Sequence, residues 1–242
     1  MNIYIVSDMH IKFSERQEDK ERRDRAVAFF DSLKGKADML IMNGDIFDLW
    51  YDWNSVIIKG FFPILKKLAD LQESGCRLVL ISGNHDFWFG DFFPDYLQVK
   101  VCPDRYMDTI DHKRILVTHG DLHTANDLRY HIFRTVIRTG FVRTLFGMIH
   151  PNVALWMGKQ LSRSSRKRKV PRLLQEAQEK GLREYAERSF DKADIIVMGH
   201  SHKALKIEQP EGIYLNSGEW FLSNSYVKII DGMAELCQFT QQ

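Results

Sequence analysis

"RLVLISGNHD" occupies residues 77–86. Leu78–Ile81 are apolar without alternation, the pattern of a strand covered on both faces, as in a parallel sheet. Asn84, His85 and Asp86 follow where that strand ends. In open α/β sheets, binding sites form beyond the carboxyl ends of the strands. The same arrangement recurs outward along the chain, at "NIYIVSDMH" (2–10), "DMLIMNGDIFD" (38–48), "RILVTHGD" (114–121) and "DIIVMGHSH" (194–202). Five buried strands therefore run into clusters of Asp, His and Asn, and the spacing predicts that these meet in one crevice.

Between the early strands the period changes to that of a helix. Ala26, Val27, Phe29, Phe30 and Leu33 predict one helix over 20–33, stopped by Gly35. Ile58, Phe61, Phe62, Leu65, Leu68 and Leu71 predict another within 55–74, with Pro63 marking a kink or a later start and Gly75 the stop. A short strand is expected near 97–102. Residues 128–172 predict helices broken at Gly140, Pro151 and Pro171, and 172–190 a charged helix. The tail, "ALKIEQ", "GIYLNS", "SYVKII" and "AELCQF", predicts an antiparallel meander with turns at "PEG" and "DG".

Composition fits one large domain, with 44% apolar and 27% charged residues among 242. No apolar run reaches the roughly 18 residues of a membrane span. The amino-terminal residues read as a strand rather than a signal peptide, and Cys76, Cys102 and Cys237 lack CxxC spacing. Both point to a reducing, cytoplasmic setting. The net charge of +2 hides an asymmetry: Leu128–Arg172 holds eleven of the 34 basic residues and no Asp or Glu, which leaves 23 basic against 32 acidic elsewhere. A basic, amphipathic helical segment of this kind predicts contact with an anionic membrane surface. A nucleic acid partner is not expected, because the remainder is acidic.

The residue types at the strand ends define a chemistry. Asp and Asn supply oxygen and His neutral nitrogen, with no Cys among them, a set suited to Mn, Fe or Zn in a reactive rather than a structural site. Asp8-x-His10 and His200-x-His202 put two side chains on one side of an extended segment. Two ions about 3.5–4 Å apart need a bridging ligand, and the two oxygens of Asp45 suit that role.

The ordered set D-x-H, G-D, G-N-H-D, H-G and G-H-x-H, spanning residues 8–202, resembles the calcineurin-like metallophosphoesterases. The resemblance implies an αββα four-layer sandwich of two mixed sheets with a helical insertion, a single domain over 1–242 with a cap at 125–172. It implies two divalent metal ions, one held by Asp8, His10, Asp45 and His202, the other by Asp45, Asn84, His119 and His200. His85 would act on the substrate, while Asp48, Asp86 and Asp121 would orient the ligands from behind.

A narrower similarity, in "GDIFDLW" (44–50), "GNHDFW" (83–88), the insertion after "HGD" and "YLNSGEW" (214–220), is to the UDP-2,3-diacylglucosamine pyrophosphatases of lipid A biosynthesis. It implies manganese, a nucleotide-linked lipid substrate, release of UMP and 2,3-diacylglucosamine 1-phosphate, and work at the inner face of the cytoplasmic membrane. By the same similarity Asp127, Tyr130, Arg163, Ser164 and Arg166 would contact substrate. The best-known members carry Arg where this chain has His85. His123 is a candidate extra contact, and Trp50, Trp53, Trp88 and Phe89 are candidates to line an acyl or nucleobase cleft. A soluble phosphodiesterase or nucleotide pyrophosphatase with a non-lipid substrate is the alternative, with a non-catalytic metal-binding scaffold behind it.

Overall fold

The computed structural model describes residues 1–14, 16–124, 128–167 and 172–240, and their side chains except at 128–129, 159, 161–167 and 172–175. Eleven strands among the described residues form two sheets. β1 (Asn2–Val6), β2 (Met39–Asn43), β3 (Arg77–Ile81) and β4 (Lys100–Cys102) run parallel, and β10 (Ser225–Ile230) and β11 (Met233–Gln238) extend the sheet antiparallel, in the order β11-β10-β1-β2-β3-β4. The second sheet has the order β5-β6-β7-β9-β8. In it β6 (Lys113–Thr118), β7 (Ile195–Met198) and β9 (Gly212–Asn216) are parallel, while β5 (Arg105–Ile110) and β8 (Leu205–Gln209) are antiparallel.

The strand period of two sorts the side chains into layers. Ile3 and Ile5 of β1 point between the sheets with Ile41, Val79, Val117, Val197 and Leu215. Tyr4 and Val6 point the other way, to Phe29, Leu65 and Leu68 on helices α1 (Gln17–Ser32) and α2 (Phe62–Glu73). Leu116, Ile196 and Met198 cover the outer face of the second sheet against Leu182 and Ala186 of α6 (Arg172–Ser189). The result is the expected αββα sandwich. Pro63 stands in the first turn of α2, where its missing N–H costs nothing, so it marks a later helix start and no kink.

One expectation fails for a non-local reason. The tail is not one meander. β8 and β9 form a hairpin in the second sheet, where β9 lies parallel to β7, whereas β10 and β11 form a hairpin in the first, against β1. Hairpin chemistry is local, and Asp231 and Gly232 with φ of 50° and 75° make the tight turn the "DG" pair predicts. The choice of sheet is set by distant strands. β5 goes unannounced in the sequence because only Tyr106 and Ile110 of its six residues are buried.

Between β6 and α6 lie α3 (Leu128–Ile137), α4 (Gly140–Gly147) and α5 (Pro151–Lys167). The expected breaks at Gly140 and Pro151 are helix starts, and Pro171 lies outside the described residues. Thr139 caps α4 through the Val142 amide at 3.4 Å. These helices rest on loops of the sandwich. Phe146 packs on Tyr51 and Trp88, with ring centroids 5.0 and 4.7 Å away. The Tyr51 hydroxyl donates to the Arg143 carbonyl at 2.7 Å. Trp50 is a core residue rather than a cleft residue: it is 1% exposed and surrounded by Phe47, Phe61, Phe92 and Phe93.

Ile41 is fully buried where the sheets face one another. Ile41→Ala is expected to lower unfolding stability by about 2–5 kcal/mol, read from the urea midpoint. A loss below about 1 kcal/mol would mean that the inter-sheet layer closes around the gap.

Candidate metal centre

The loops after β1, β2, β3, β6 and β7 bring the predicted residues together. Asp8, His10, Asp45, His200 and His202 all have positive φ, from 42° to 65°. Such angles cost most side chains of order 1–3 kcal/mol and persist where surrounding structure imposes them. Each chain reverses sharply past its strand and turns its side chain into the crevice.

Asp45 stands at the centre. Its Oδ1 accepts the His85 backbone N–H at 2.8 Å. Its Oδ2 lies 3.7 Å from His10 Nε2 and 3.6 Å from His119 Nε2. The two oxygens are therefore not shared between two sides as the sequence suggests; one oxygen faces both and the other is held by the backbone. Around the first side, Asp8 Oδ1 is 3.2 Å from His202 Nε2, and His10 Nε2 is 3.4 Å from His202 Nε2. Around the second, Asn84 Oδ1 is 3.1 Å from His119 Nε2 and 3.0 Å from His200 Nδ1. Ligands bound to one ion at about 2.0–2.2 Å stand apart by this much.

The donors fit a cation better than they fit one another. Asp8 Oδ1 is buried without a hydrogen bond, while Asp8 Oδ2 accepts from Ser7 Oγ at 2.5 Å and the His200 amide at 2.9 Å. The one close partner of Oδ1 among the described residues is His202 Nε2 at 3.2 Å, so this buried carboxylate oxygen depends on the charge that its neighbours or a cation bring to it. The His119 Nδ1–H faces the Asn43 carbonyl at 3.0 Å, so a neutral His119 ring would turn its Nε2 lone pair to Asn84 Oδ1. Two acceptors then oppose each other unless a cation or an additional proton lies between.

Charge states agree with this reading. Burial would raise the Asp8 and Asp45 carboxyls, but His202 and His119 respectively, with the other imidazoles, hold both below the usual range. Burial keeps His10 far below its ordinary value, and burial and His119 take His200 to about 4, so both are neutral donors. Burial also disfavours protonated His119, but Asp45 overrides it and its pKa is pushed up to about 10. Without a metal, a proton on His119 neutralises Asp45.

Asp86 is fully buried and accepts from the backbone amides of Asp45 (2.8 Å), Gly83 (3.1 Å) and Phe47 (3.0 Å). It welds the β2 and β3 loops together. Gly83 is obligatory there, because a Cβ would collide with Asp45. Asp48 Oδ1 is 3.9 Å from His10 Nδ1, and the Asp48 carbonyl is 3.4 Å from His85 Nδ1. His85 is half-buried, its ring edge-on to His10 with centroids 4.7 Å apart. Asp121 is buried and accepts from Tyr130 Oη at 2.5 Å and Arg134 Nε at 2.9 Å. His123 stacks on Tyr185, at 3.4 Å between centroids.

Asp127 lies outside the described residues; Arg163, Ser164 and Arg166 belong to α5, with side chains outside the described ones. A polar buttress under His200 and His202 is not announced by any motif in the sequence. There Ser201 donates to Glu179 at 2.7 Å, and Asn216 donates to the Gly199 carbonyl at 2.8 Å and to Ser201 at 2.9 Å. Asn216 in the apolar run "GIYLN" was the available signal, since a polar residue in a buried strand needs partners.

Residues 1–204 match the calcineurin-like phosphoesterase family. A UDP-2,3-diacylglucosamine hydrolase of Porphyromonas gingivalis is 26% identical, over 93% of this chain and 92% of its own length. One of Haemophilus influenzae is 27% identical over 90% of each chain. A solved archaeal phosphodiesterase shares the fold, with TM-score 0.51 and 13% identity over 99% of this chain and 100% of its own.

In the metal-free protein, the raised His119 pKa stabilises the fold below pH 6.5, and that contribution is lost as pH rises through about 10. A cation replacing this proton must release it. Against the opposing effect of burial, Asp8 raises the His202 pKa as well, so manganese binding by calorimetry in buffers of different ionisation enthalpy is expected to liberate about one proton or more at neutral pH, with affinity rising about tenfold or more per pH unit. A pH-independent affinity would contradict the assignment of His119.

Proposed function

The chain belongs to the calcineurin-like phosphoesterase family and is a metal-dependent phosphoester hydrolase; from that premise we propose that it cleaves the pyrophosphate of UDP-2,3-diacylglucosamine. Water is consumed and the products are UMP and 2,3-diacylglucosamine 1-phosphate, a hydrolytic step of lipid A biosynthesis. The observation that carries the reaction class is the single Asp45 oxygen facing two donor sets. The substrate rests on relatives at 26% and 27% identity that match this chain along nine-tenths of both lengths.

In this reading Asp8, His10, Asp45 and His202 hold one divalent ion, and Asp45, Asn84, His119 and His200 the other, with manganese the expected metal and Fe or Zn the substitutes. Such ions supply a water acidic enough to ionise at neutral pH and screen charge on the phosphoryl oxygens. The protein does the rest. The His85 amide fixes Asp45, and Asp86 fixes the loops that carry Asp45 and Asn84. His85 itself, half-buried beside His10, hydrogen-bonds or protonates the departing phosphate oxygen. The contacts to sugar and phosphates fall to Asp127, Tyr130, Arg163, Ser164 and Arg166.

The helices after β6 serve as a cap. A cleft of about 690 Å³ between Trp53, Val56, Ile57, Leu155 and Trp156 suits an acyl chain. Phe133, Val136, Phe141, Met148 and Trp156 expose apolar side chains at 54–73%. Among the described residues no helix is long and apolar enough to cross a membrane. We read this exposed apolar face, set within a segment of eleven basic and no acidic residues, as a surface that docks on an anionic bilayer at the cytoplasmic side.

Purified protein with manganese is expected to turn over UDP-2,3-diacylglucosamine faster than a generic phosphodiester, and chelator to abolish both. Preference for the generic ester would favour a soluble phosphodiesterase. His85→Ala is expected to retain bound metal and lose about 10²–10⁴ in kcat; an unchanged rate would remove His85 from the chemistry. Sedimentation with anionic vesicles should show binding that falls with salt, and no binding at low salt would contradict the docking face.

A further inference from the structure

We infer that Arg138, at the end of α3, is a positioning residue that sets the loop carrying Asn84 and His85. Tyr130, Arg134 and Arg138 follow one another at intervals of four and so share one face of the helix. That face is turned inward. Tyr130 and Arg134 bind Asp121, two residues beyond His119, and Arg134 also bridges Asp104 at 2.7 Å. Arg138 donates from Nη2 to the Gly83 carbonyl at 2.7 Å and from Nη1 to the Pro103 carbonyl at 3.2 Å. Its guanidinium lies over Phe87 at 5.0 Å, and its side chain is 18% exposed.

The contact matters because of which carbonyl it grips. Gly83 C=O and Asn84 N–H belong to one planar peptide unit, so fixing the oxygen fixes the backbone of Asn84. Asn84 Oδ1 must stand near both His119 and His200, and the next amide, that of His85, holds Asp45 Oδ1. The amide side of Gly83 is already held by Asp86. Arg138 supplies the restraint on the carbonyl side. Its only carboxylate contact among the described residues is Asp104 at 3.8 Å. Burial and neighbouring Arg134 both disfavour its charge. A buried cation is a costly way merely to anchor a helix. Neutral ties already do so: Trp88 Nε1 donates to the Ile137 carbonyl at 3.1 Å, and Tyr51 to that of Arg143. Two carbonyls gripped at once require the planar fork of arginine, which lysine lacks.

The inference rests on the proposed role of Asn84 as a metal ligand, and the test separates the two. Arg138→Gln, Arg138→Lys and Tyr51→Phe would be compared with the wild type. Tyr51→Phe loosens the same helices without touching Gly83. Manganese would be titrated by calorimetry, turnover measured on bis(p-nitrophenyl) phosphate, and hydrogen exchange followed across residues 83–88 of the metal-free protein. Arg138→Gln is expected to weaken the second manganese equivalent and lower kcat, each by about tenfold or more, with KM within about twofold and faster exchange in 83–88. Arg138→Lys should fall between, which keeps the test open if the glutamine variant does not fold. Tyr51→Phe should leave metal binding and that exchange unchanged. Metal binding, kcat and exchange all within about twofold of wild type in Arg138→Gln, or the same losses in Tyr51→Phe, would overturn the inference. A wild type that binds fewer than two manganese ions would instead overturn the two-ion reading, and exchange in 83–88 would still decide the role of Arg138.

Discussion

The Asp45 carboxylate, buried and held by one oxygen, is the constraint on which the rest of this structure depends. Its Oδ1 is fixed by the His85 amide, so its Oδ2 stands between His10 and His119. A negative charge at 2% exposure is unfavourable unless positive charge comes to it. The imidazoles provide part of that charge, and the metal-free protein keeps a proton on His119 to supply more. The surrounding fold is organised to hold this arrangement. Asp86 secures the Asp45 loop, the Gly83 loop and Phe47 together, and Glu179, Ser201 and Asn216 secure the His200–His202 turn.

The two sheets explain how residues from position 8 to position 202 meet. Parallel strands end on one edge, and both sheets present that edge to the same crevice. β1, β2 and β3 of the first deliver Asp8, His10, Asp45, Asn84 and His85, and β6 and β7 of the second deliver His119, His200 and His202. The inter-sheet layer of Ile3, Ile5, Ile41, Val79, Val117 and Val197 sets the distance between these halves. Close packing makes that distance stiff. The positive φ values of the loop residues are the local expense of aiming side chains inward from strand ends.

The centre was legible in the sequence because its signal is local: an apolar run, then a ligand type, five times over. Continuous apolar strands implied parallel strands covered on both faces, while the pairing of two such sheets in one sandwich came only from the family resemblance. Two things were not. The strands after residue 204 alternate well enough to be seen, yet their assignment to different sheets depends on β1 and β7 far away. The basic run of the insertion predicts a lipid-facing surface, but Arg134 and Arg138 within it point inward to Asp104, Asp121 and the Gly83 carbonyl. Composition counts charges without saying which way they face. The spacing of four between Tyr130, Arg134 and Arg138 was the available clue, and only the buried Asp121 gives it meaning. The exposed apolar residues of α3–α5 lie beside this inward stripe, so one helix joins a polar anchor to an apolar surface.

Asp45 Oδ2, which faces both donor sets, would be shared by the two proposed ions. Anomalous diffraction at the manganese edge from crystals grown with manganese tests it directly. The account predicts two peaks about 3.5–4 Å apart, both within bonding reach of Asp45 Oδ2, one beside Asp8 and His202 and the other beside Asn84 and His200. A single peak, or two peaks with Asp45 bound to only one of them, would contradict it.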